Sequence, residues 1–303
     1  MSQKASQSDR AALRAAVRRY RKTVYNPKIS VKLHRTAFDE VFGTVMLPNN
    51  IDRREVVAQG VPADLLVPEL AIGGRTILYA HGGGFIAGSR RAARNLCASL
   101  AHESASRLLL PEYRLAPEYP FPTALEDLFN AYRWLLDGGT SPSDVVFAGD
   151  GTGANLMLSL VHYLQKHRAP NPAAILAISP WVDLSCQTEA FTGRKNPDPL
   201  FSRESLAQLA TLYTYQDNFK NPLVSPIHGD YLAFPPLYVQ CGSREILIDD
   251  ARALVSRVNA AGGNAKLDVQ EGMWHLFQAA DALTPRAHLA VKAMGAWVRR
   301  GYQ

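Results

Sequence analysis

Apolar and polar positions alternate along this chain in a rhythm of short strands and longer helices that begins near residue 50. Apolar, β-branched runs lie at 75–80, 107–113, 145–149, 173–179 and 236–241. Each run is followed by a longer stretch whose apolar residues have helical spacing. Such alternation is typical of a mostly parallel sheet covered by helices on both faces, so the pattern predicts an α/β fold.

Two segments interrupt this rhythm, namely residues 1–45 and the Pro-, Asn- and aromatic-rich residues 183–225. We interpret both as a helical cap over the carboxyl edge of the sheet, which leaves 46–182 and 226–303 as the core. In the first segment, the apolar residues at helical spacing are Leu13, Val17, Tyr20 and Val24. A solvated basic helix is an alternative for this segment. Its crowded basic residues also allow a helix lying on a membrane surface.

Composition is that of an ordinary globular protein, with 303 residues, 47% hydrophobic and 20% charged. The net charge of +6 is spread without a run of five basic residues, so we expect no nucleic-acid binding. Cys97, Cys186 and Cys241 lack ligand-like spacing, which predicts neither a metal site nor a disulfide scaffold. Without a signal-like segment or a membrane-length apolar stretch, we expect cytoplasmic residence and no stable membrane insertion.

The first motif with chemical potential follows the run at 75–80 and reads His81-Gly82-Gly83-Gly84-Phe85. Consecutive glycines let the backbone turn so that its N–H groups converge, as in sites that stabilise an oxyanion. A proline-punctuated loop comes next, Tyr113-Arg114-Leu115-Ala116-Pro117-Glu118. In their order and separation, these two motifs resemble the hormone-sensitive-lipase family of carboxylesterases. The resemblance covers roughly residues 50–300 and implies the α/β-hydrolase fold.

The third motif follows the run at 145–149, where the resemblance implies a nucleophile elbow of the form G-x-S-x-G. This chain reads Gly149-Asp150-Gly151-Thr152-Gly153. Against the family's usual G-D-S-A-G-G-N, the nucleophile position falls on Gly151, which has no hydroxyl. The resemblance implies an oxyanion hole made by the N–H groups of Gly83, Gly84 and Thr152. His81, Gly82 and Asp150 are then supporting residues of the motifs.

The acid and the base of a catalytic triad are expected on loops after later strands. The stretch after 236–241 contains Glu245 and Asp249 where the family usually has D-P-L-x-D. The resemblance implies Glu245 as the acid, with Asp249 as the alternative, and His275 in Gly-Met-Trp-His as the general base. Both acids could instead stabilise the first turn of a helix through its dipole.

The elbow also fits a second, looser pattern. Gly149-x-Gly151-x-x-Ala154 matches the G-x-G-x-x-G/A fingerprint of dinucleotide sites. Asp150 would place a carboxylate beside the pyrophosphate, and no acidic residue lies where the ribose partner is expected. We therefore expect no cofactor.

Three functions remain open for a hydrolase scaffold without its serine. First, the chain is an esterase by ancestry or an engineered Ser→Gly form, and is then nearly inactive. Second, it is a ligand-binding protein on this scaffold, as in the plant gibberellin receptors. Third, it carries out a different reaction through His275, since some plant relatives of this family are dehydratases. The expected ligand is a small ester of short or medium acyl length or an ester-like molecule. A homodimer is equally open. Candidates for an acyl pocket are Phe85, Trp181, Phe191, Tyr213 and Tyr215.

Overall fold

The computed structural model describes residues 7–43, 50–187 and 198–302. The strands in these ranges are β1 (Ile51–Ala58), β2 (Val61–Pro68), β3 (Thr76–Ala80), β4 (Arg107–Pro111), β5 (Val145–Asp150), β6 (Ala174–Ile178), β7 (Leu237–Gly242) and β8 (Ala265–Gln270). The α-helices are α1 (Gln7–Tyr20), α2 (Val31–Phe42), α3 (Arg90–Ser104), α4 (Thr123–Asp137), α5 (Thr152–Lys166), α6 (Arg203–Tyr213), α7 (Ile248–Ala260) and α8 (Pro285–Arg299).

The described strands form one eight-stranded sheet in the order β1-β2-β4-β3-β5-β6-β7-β8. Pairing is antiparallel at β1–β2 and β2–β4 and parallel everywhere else, so only β2 runs against the other strands. The sequence prediction of a mostly parallel sheet is confirmed. It did not single out the β1–β2 hairpin, because the solvent-facing half of β1 is charged and reads as a loop.

Neighbouring residues of the central strands point to opposite sides of the sheet, as the period of two requires. On one side, Leu78 and Phe147 belong to a core that also contains buried residues of α4, α5 and α7. On the other side, Ile77 and Val146 belong to a second core formed with α1, α3 and α8. Two apolar layers on one sheet explain why these strands are continuously hydrophobic.

Residues of the two N-terminal helices and of α6 line a cavity together with residues of the loops after β3 and β5. Arg19 of α1 donates to the carbonyl of Val41 in α2. Arg35 of α2 donates to the carbonyl of Ile86 at 2.7 Å and pairs with Glu118. The first contact joins α1 to α2, and those of Arg35 join α2 to the loops after β3 and β4. Among the helices of the described ranges, none is long and apolar enough to cross a membrane.

A buried carboxylate fastens the β1–β2 hairpin to the rest of the sheet. Asp64 of β2 is fully buried, and its oxygens lie 2.9 Å from Arg90 and 2.8 Å from Arg94, both in α3. Arg53 of β1 adds a third cation at 3.8 Å. A carboxylate removed from water is tolerated only with such charged partners, so this cluster ties α3 to the edge of the sheet.

This cluster gives a prediction for stability. Asp64→Asn should lower the free energy of unfolding by about 3 kcal/mol, because three guanidinium groups lose their common anion. The matched control is Asp52→Asn in the same hairpin, where the ion pair with Arg54 is exposed on both sides. That change should cost about 0.5 kcal/mol or less in urea unfolding. Equal losses for the two variants would contradict the role assigned to Asp64.

Candidate active site

The residues predicted to carry chemistry gather at the carboxyl edge of the sheet. The loop with Gly83 and Gly84 follows β3, Gly151 follows β5, Glu245 follows β7 and His275 follows β8. In open α/β sheets this edge is where ligands bind, because the loops after parallel strands meet there. Gly83, Gly84, Gly151 and His275 therefore line one cavity although they are far apart in the chain, and Glu245 contacts His275.

Gly151 stands at the turn between β5 and α5 with φ 52° and ψ −112°. This combination is strongly disfavoured for residues that have a Cβ atom. A Cβ built on Gly151 would lie 3.3 Å from Nε2 and 3.4 Å from Cε1 of His275. The direction in which a side chain would leave the backbone here is therefore towards the imidazole.

His275 and Glu245 form an ion pair in the interior. Nδ1 of His275 lies 3.3 Å from Oε2 of Glu245, whose side chain is fully buried. The other oxygen, Oε1, accepts hydrogen bonds from Ser179 Oγ at 2.8 Å and from the N–H of Gly242. Both oxygens of the carboxylate are thus engaged, which fixes the orientation of the imidazole.

Charges around His275 favour its protonated form. Burial acts to lower the pKa of His275, but the hydrogen bond and charge of Glu245, with the charges of Asp198 and Asp150, raise it above the ordinary value. The carboxylate of Asp198 accepts hydrogen bonds from the N–H groups of Ile246 and Leu200. The ring of Phe201 meets the imidazole edge-on, with ring centroids 4.9 Å apart. Asp198 and Ser179 were not predicted from the sequence.

Asp249, the alternative acid, lies elsewhere. It sits in the first turn of α7, where it accepts a hydrogen bond from Arg252 at 3.1 Å. The expectation that carboxylates there stabilise a first helical turn describes Asp249 but not Glu245. Of the two acids that the sequence offered, only Glu245 is hydrogen-bonded to His275.

Asp150 joins the glycine loop to the turn at Gly151. Its Oδ1 accepts hydrogen bonds from Tyr79 Oη at 2.8 Å and from the N–H of Gly82 at 3.0 Å. Burial raises the pKa of Asp150, although these hydrogen bonds oppose that shift. A side chain on Gly82 would collide with the Asp150 carboxylate. The pairing explains why glycine and aspartate occupy these two positions.

Three backbone N–H groups border the cavity without an acceptor. Gly83 and Gly84 adopt φ of 129° and 67°, and their N–H groups donate to no acceptor in the part of the chain that is described. Thr152 begins α5, so its N–H has no acceptor within the helix. The Thr152 hydroxyl accepts from the N–H of Phe85 at 3.3 Å. It is therefore tied to the glycine loop and is not hydrogen-bonded to His275.

His81 supports this loop from behind. Its ring stacks on Tyr113 with centroids 4.3 Å apart, and its Nδ1 lies 2.9 Å from the carbonyl of Gly82. The hydroxyl of Tyr113 donates to the carbonyl of His81. His81 is absent from the lining of the cavity, so its contribution is to hold the loop in shape.

A narrow cavity of about 50 Å³ lies in front of Gly151. Its lining from the sheet edge includes Gly83, Gly84, Asp150, Gly151, Thr152, Trp181 and His275. Its lining from the cap includes Tyr20, Thr23, Tyr25, His34, Phe38, Phe42, Phe201, Leu206 and Leu209. The space corresponds to a few water-sized groups.

The aromatic residues predicted for an acyl pocket have different fates. Trp181 lines the cavity. Phe85 and Tyr213 stack on each other with centroids 3.8 Å apart and do not line it. Tyr215 is 84% exposed and was wrongly assigned to the pocket. Phe191 lies outside the described residues.

Comparison with known proteins identifies the fold and the relatives of this chain. A family model described as alpha/beta hydrolase fold matches residues 77–279. An acetyl-hydrolase from Streptomyces hygroscopicus is 36% identical over 272 residues, which are 89% of this chain and 90% of that protein. An esterase from Acinetobacter venetianus is 34% identical over 71% of each chain. A crystal structure of an esterase from the bacterial hormone-sensitive lipase family is 34% identical, with a TM-score of 0.92 and full coverage of both chains.

The backbone at Gly151 predicts a cost for any side chain there. Gly151→Ser should lower the free energy of unfolding by about 1–3 kcal/mol, because a Cβ is forced into a disfavoured backbone region. The control is Gly74→Ser, at an exposed glycine whose φ is not positive. Thermal unfolding of both variants measures the difference. An unchanged or higher melting temperature for Gly151→Ser would contradict the strained conformation.

The charges around His275 predict its titration. In the unaltered chain, NMR of the imidazole should give a pKa above the ordinary histidine value of 6.5, because Glu245 and two aspartates stabilise the cation. Glu245→Gln should lower that pKa, so that His275 becomes neutral at a lower pH. The matched control is Asp249→Asn, which should leave the pKa of His275 nearly unchanged because Asp249 contacts Arg252 and not His275. An unchanged pKa of His275 in Glu245→Gln would exclude Glu245 as its partner.

Proposed function

Because this chain belongs to the hormone-sensitive-lipase family of α/β-hydrolase-fold esterases, we propose that its cavity binds carboxylic esters with a short acyl group. Gly151 offers no hydroxyl to attack the ester carbonyl, so the proposed turnover of the chain as it stands is close to nil. A cavity of about 50 Å³ supports a small acyl group. One relative is an acetyl-hydrolase, and acetyl esters belong to this chemical class.

One observation carries the proposal: the direction from Gly151 to His275. A Cβ at this position would lie 3.3 Å from Nε2, so a hydroxyl attached to it would be within hydrogen-bond reach of the base. Glu245 holds the other nitrogen of the ring. In this proposal, Glu245 and His275 are the acid and the base of a serine hydrolase, next to a position that has no side chain.

With a serine at position 151, the mechanism would be acyl transfer. His275 would take the hydroxyl proton while the oxygen attacks the ester carbonyl, and Glu245 would stabilise the imidazolium that results. The N–H groups of Gly83, Gly84 and Thr152 would hold the oxyanion. His275 would then give its proton to the departing alcohol, and water would release the acid from the acyl-enzyme.

In the chain with Gly151, the same N–H groups can still receive an ester carbonyl. In serine hydrolases without their triad, oxyanion stabilisation and binding alone still accelerate the reaction about 10³- to 10⁴-fold over the uncatalysed rate. A binding protein is the second candidate, favoured by the same cavity and by the relaxed backbone that glycine permits at the turn. The two candidates differ in what a restored serine would do.

Restoring the nucleophile tests the proposal. Gly151→Ser should raise the rate of p-nitrophenyl acetate hydrolysis by about 10⁴-fold or more, because it supplies the attacking oxygen beside an oriented base. Gly151→Ala is the matched control, since it adds the Cβ without the hydroxyl and should remain inactive. A second change, His275→Ala, should abolish the gain of Gly151→Ser.

Binding by the unaltered chain is measured in parallel. If butyl acetate raises the melting temperature of the unaltered chain while Gly151→Ser gains no hydrolysis, the binding function is favoured over the esterase function. Absence of both binding and restored hydrolysis would overturn the proposal.

A further inference from the structure

The cap wall of the cavity contains two polar atoms without partners. Tyr20 is 3% exposed and His34 is 2% exposed, and both residues line the cavity. In the described part of the chain, neither the Oη of Tyr20 nor the Nδ1 of His34 has a hydrogen-bond partner. Buried polar atoms are nearly always satisfied, because leaving one unpaired forfeits its bond to water. Two such atoms on one wall point to a missing partner.

Their position relates them to the departing alcohol of an ester. Tyr20 meets Trp274 edge-on, with ring centroids 6.2 Å apart, and Trp274 directly precedes His275 in the chain. The alkoxide that leaves an ester must lie near Nε2 of His275 to receive its proton. The alcohol portion therefore lies in the cavity that Tyr20, His34 and His275 all line.

The hydrogen-bonding character of both groups is preserved at neutral pH. Burial raises the pKa of Tyr20, so its hydroxyl keeps its proton and remains a donor. Burial and the charge of Arg35 lower the pKa of His34, so its ring is neutral, with one nitrogen able to accept. The ring of Tyr25 meets His34 edge-on at 5.6 Å and limits its rotation.

Other parts of the cavity lining are apolar. Leu206 and Leu209 of α6 and the ring of Trp181 contribute apolar surface there. A ligand with one apolar end and one polar end fits this division. The cavity must also widen when such a ligand enters, because its space corresponds to only a few water-sized groups.

We propose that Tyr20 and His34 form a polar recognition site for the alcohol portion of the ester, and that the preferred ligands are short-acyl esters of alcohols carrying a second hydroxyl. This inference rests on the proposed ester-binding function and specifies its substrate class. Tyr20 donates to the distal oxygen of the ligand, and that hydroxyl donates to His34. Tyr20 and His34 are specificity-determining residues, outside the acid-base chemistry.

The test uses two esters of equal size, 3-hydroxypropyl acetate and butyl acetate, which differ only in a terminal hydroxyl or methyl group. The unaltered chain consumes neither to a significant extent, so dissociation constants are measured at equilibrium by ligand-detected NMR. Tyr20→Phe should weaken binding of the hydroxypropyl ester about fivefold, the contribution of one hydrogen bond. Binding of butyl acetate should be unchanged or tighter. His34→Leu should act with the same sign.

Tyr213→Phe is the matched control. Tyr213 is equally buried, and its hydroxyl also has no partner in the described residues, but it does not line the cavity. This change should leave the affinity for both esters unaltered. Tyr20→Phe should not lower the melting temperature either, since the lost hydroxyl had no partner to lose.

The outcomes separate this inference from the function on which it rests. If Tyr20→Phe and His34→Leu affect the two esters equally, or affect neither, the polar site is overturned while ester binding stands. If neither ester binds to the unaltered chain, the proposed function fails and this inference fails with it.

Discussion

The turn between β5 and α5 is the constraint around which this site is arranged. A Cβ on Gly153 would lie 2.0 Å from the carbonyl oxygen of Ala80, and one on Gly149 would lie 2.6 Å from the backbone of Gly153. Both positions must be glycine for α5 to approach β3 and β5 so closely. That approach forces the intervening Gly151 into its unusual backbone conformation and directs it at His275. The position of the missing side chain is therefore set by packing beneath it.

The glycine loop is held in register with this turn by a buried carboxylate. Asp150 cannot stay buried without partners, and it finds them in Tyr79 and in the N–H of Gly82. The same hydrogen bonds fix where the N–H groups of Gly83 and Gly84 lie relative to Gly151. None of these contacts involves the side chain at position 151. The arrangement of these N–H groups can thus persist when that side chain is absent.

Sequence patterns predicted the parts of the fold that depend on local order. The five apolar runs became β3 to β7, and motifs placed directly after strands came to the same edge because parallel strands require it. Ser179 and Asp198 could not be predicted from the sequence, because each acts on a residue far away in the chain. Ser179 donates to Glu245, and the charge of Asp198 acts on His275. The unpaired polar atoms of Tyr20 and His34 could not be predicted for a similar reason. A helical repeat of apolar positions predicts which face is buried, but not which polar atoms that face encloses.

The structure also changes how the retained acid and base should be interpreted. Glu245 accepts hydrogen bonds from Ser179 and from the N–H of Gly242, and the Ser179 hydroxyl in turn accepts from the N–H of Leu276. Replacing Glu245 would leave these buried donors unpaired, at a cost comparable to that of many core mutations. An intact Glu245–His275 pair is therefore expected on stability grounds alone, even in a chain that no longer hydrolyses esters. The presence of the Glu245–His275 pair agrees with descent from an esterase, whereas the present function depends on what the cavity binds.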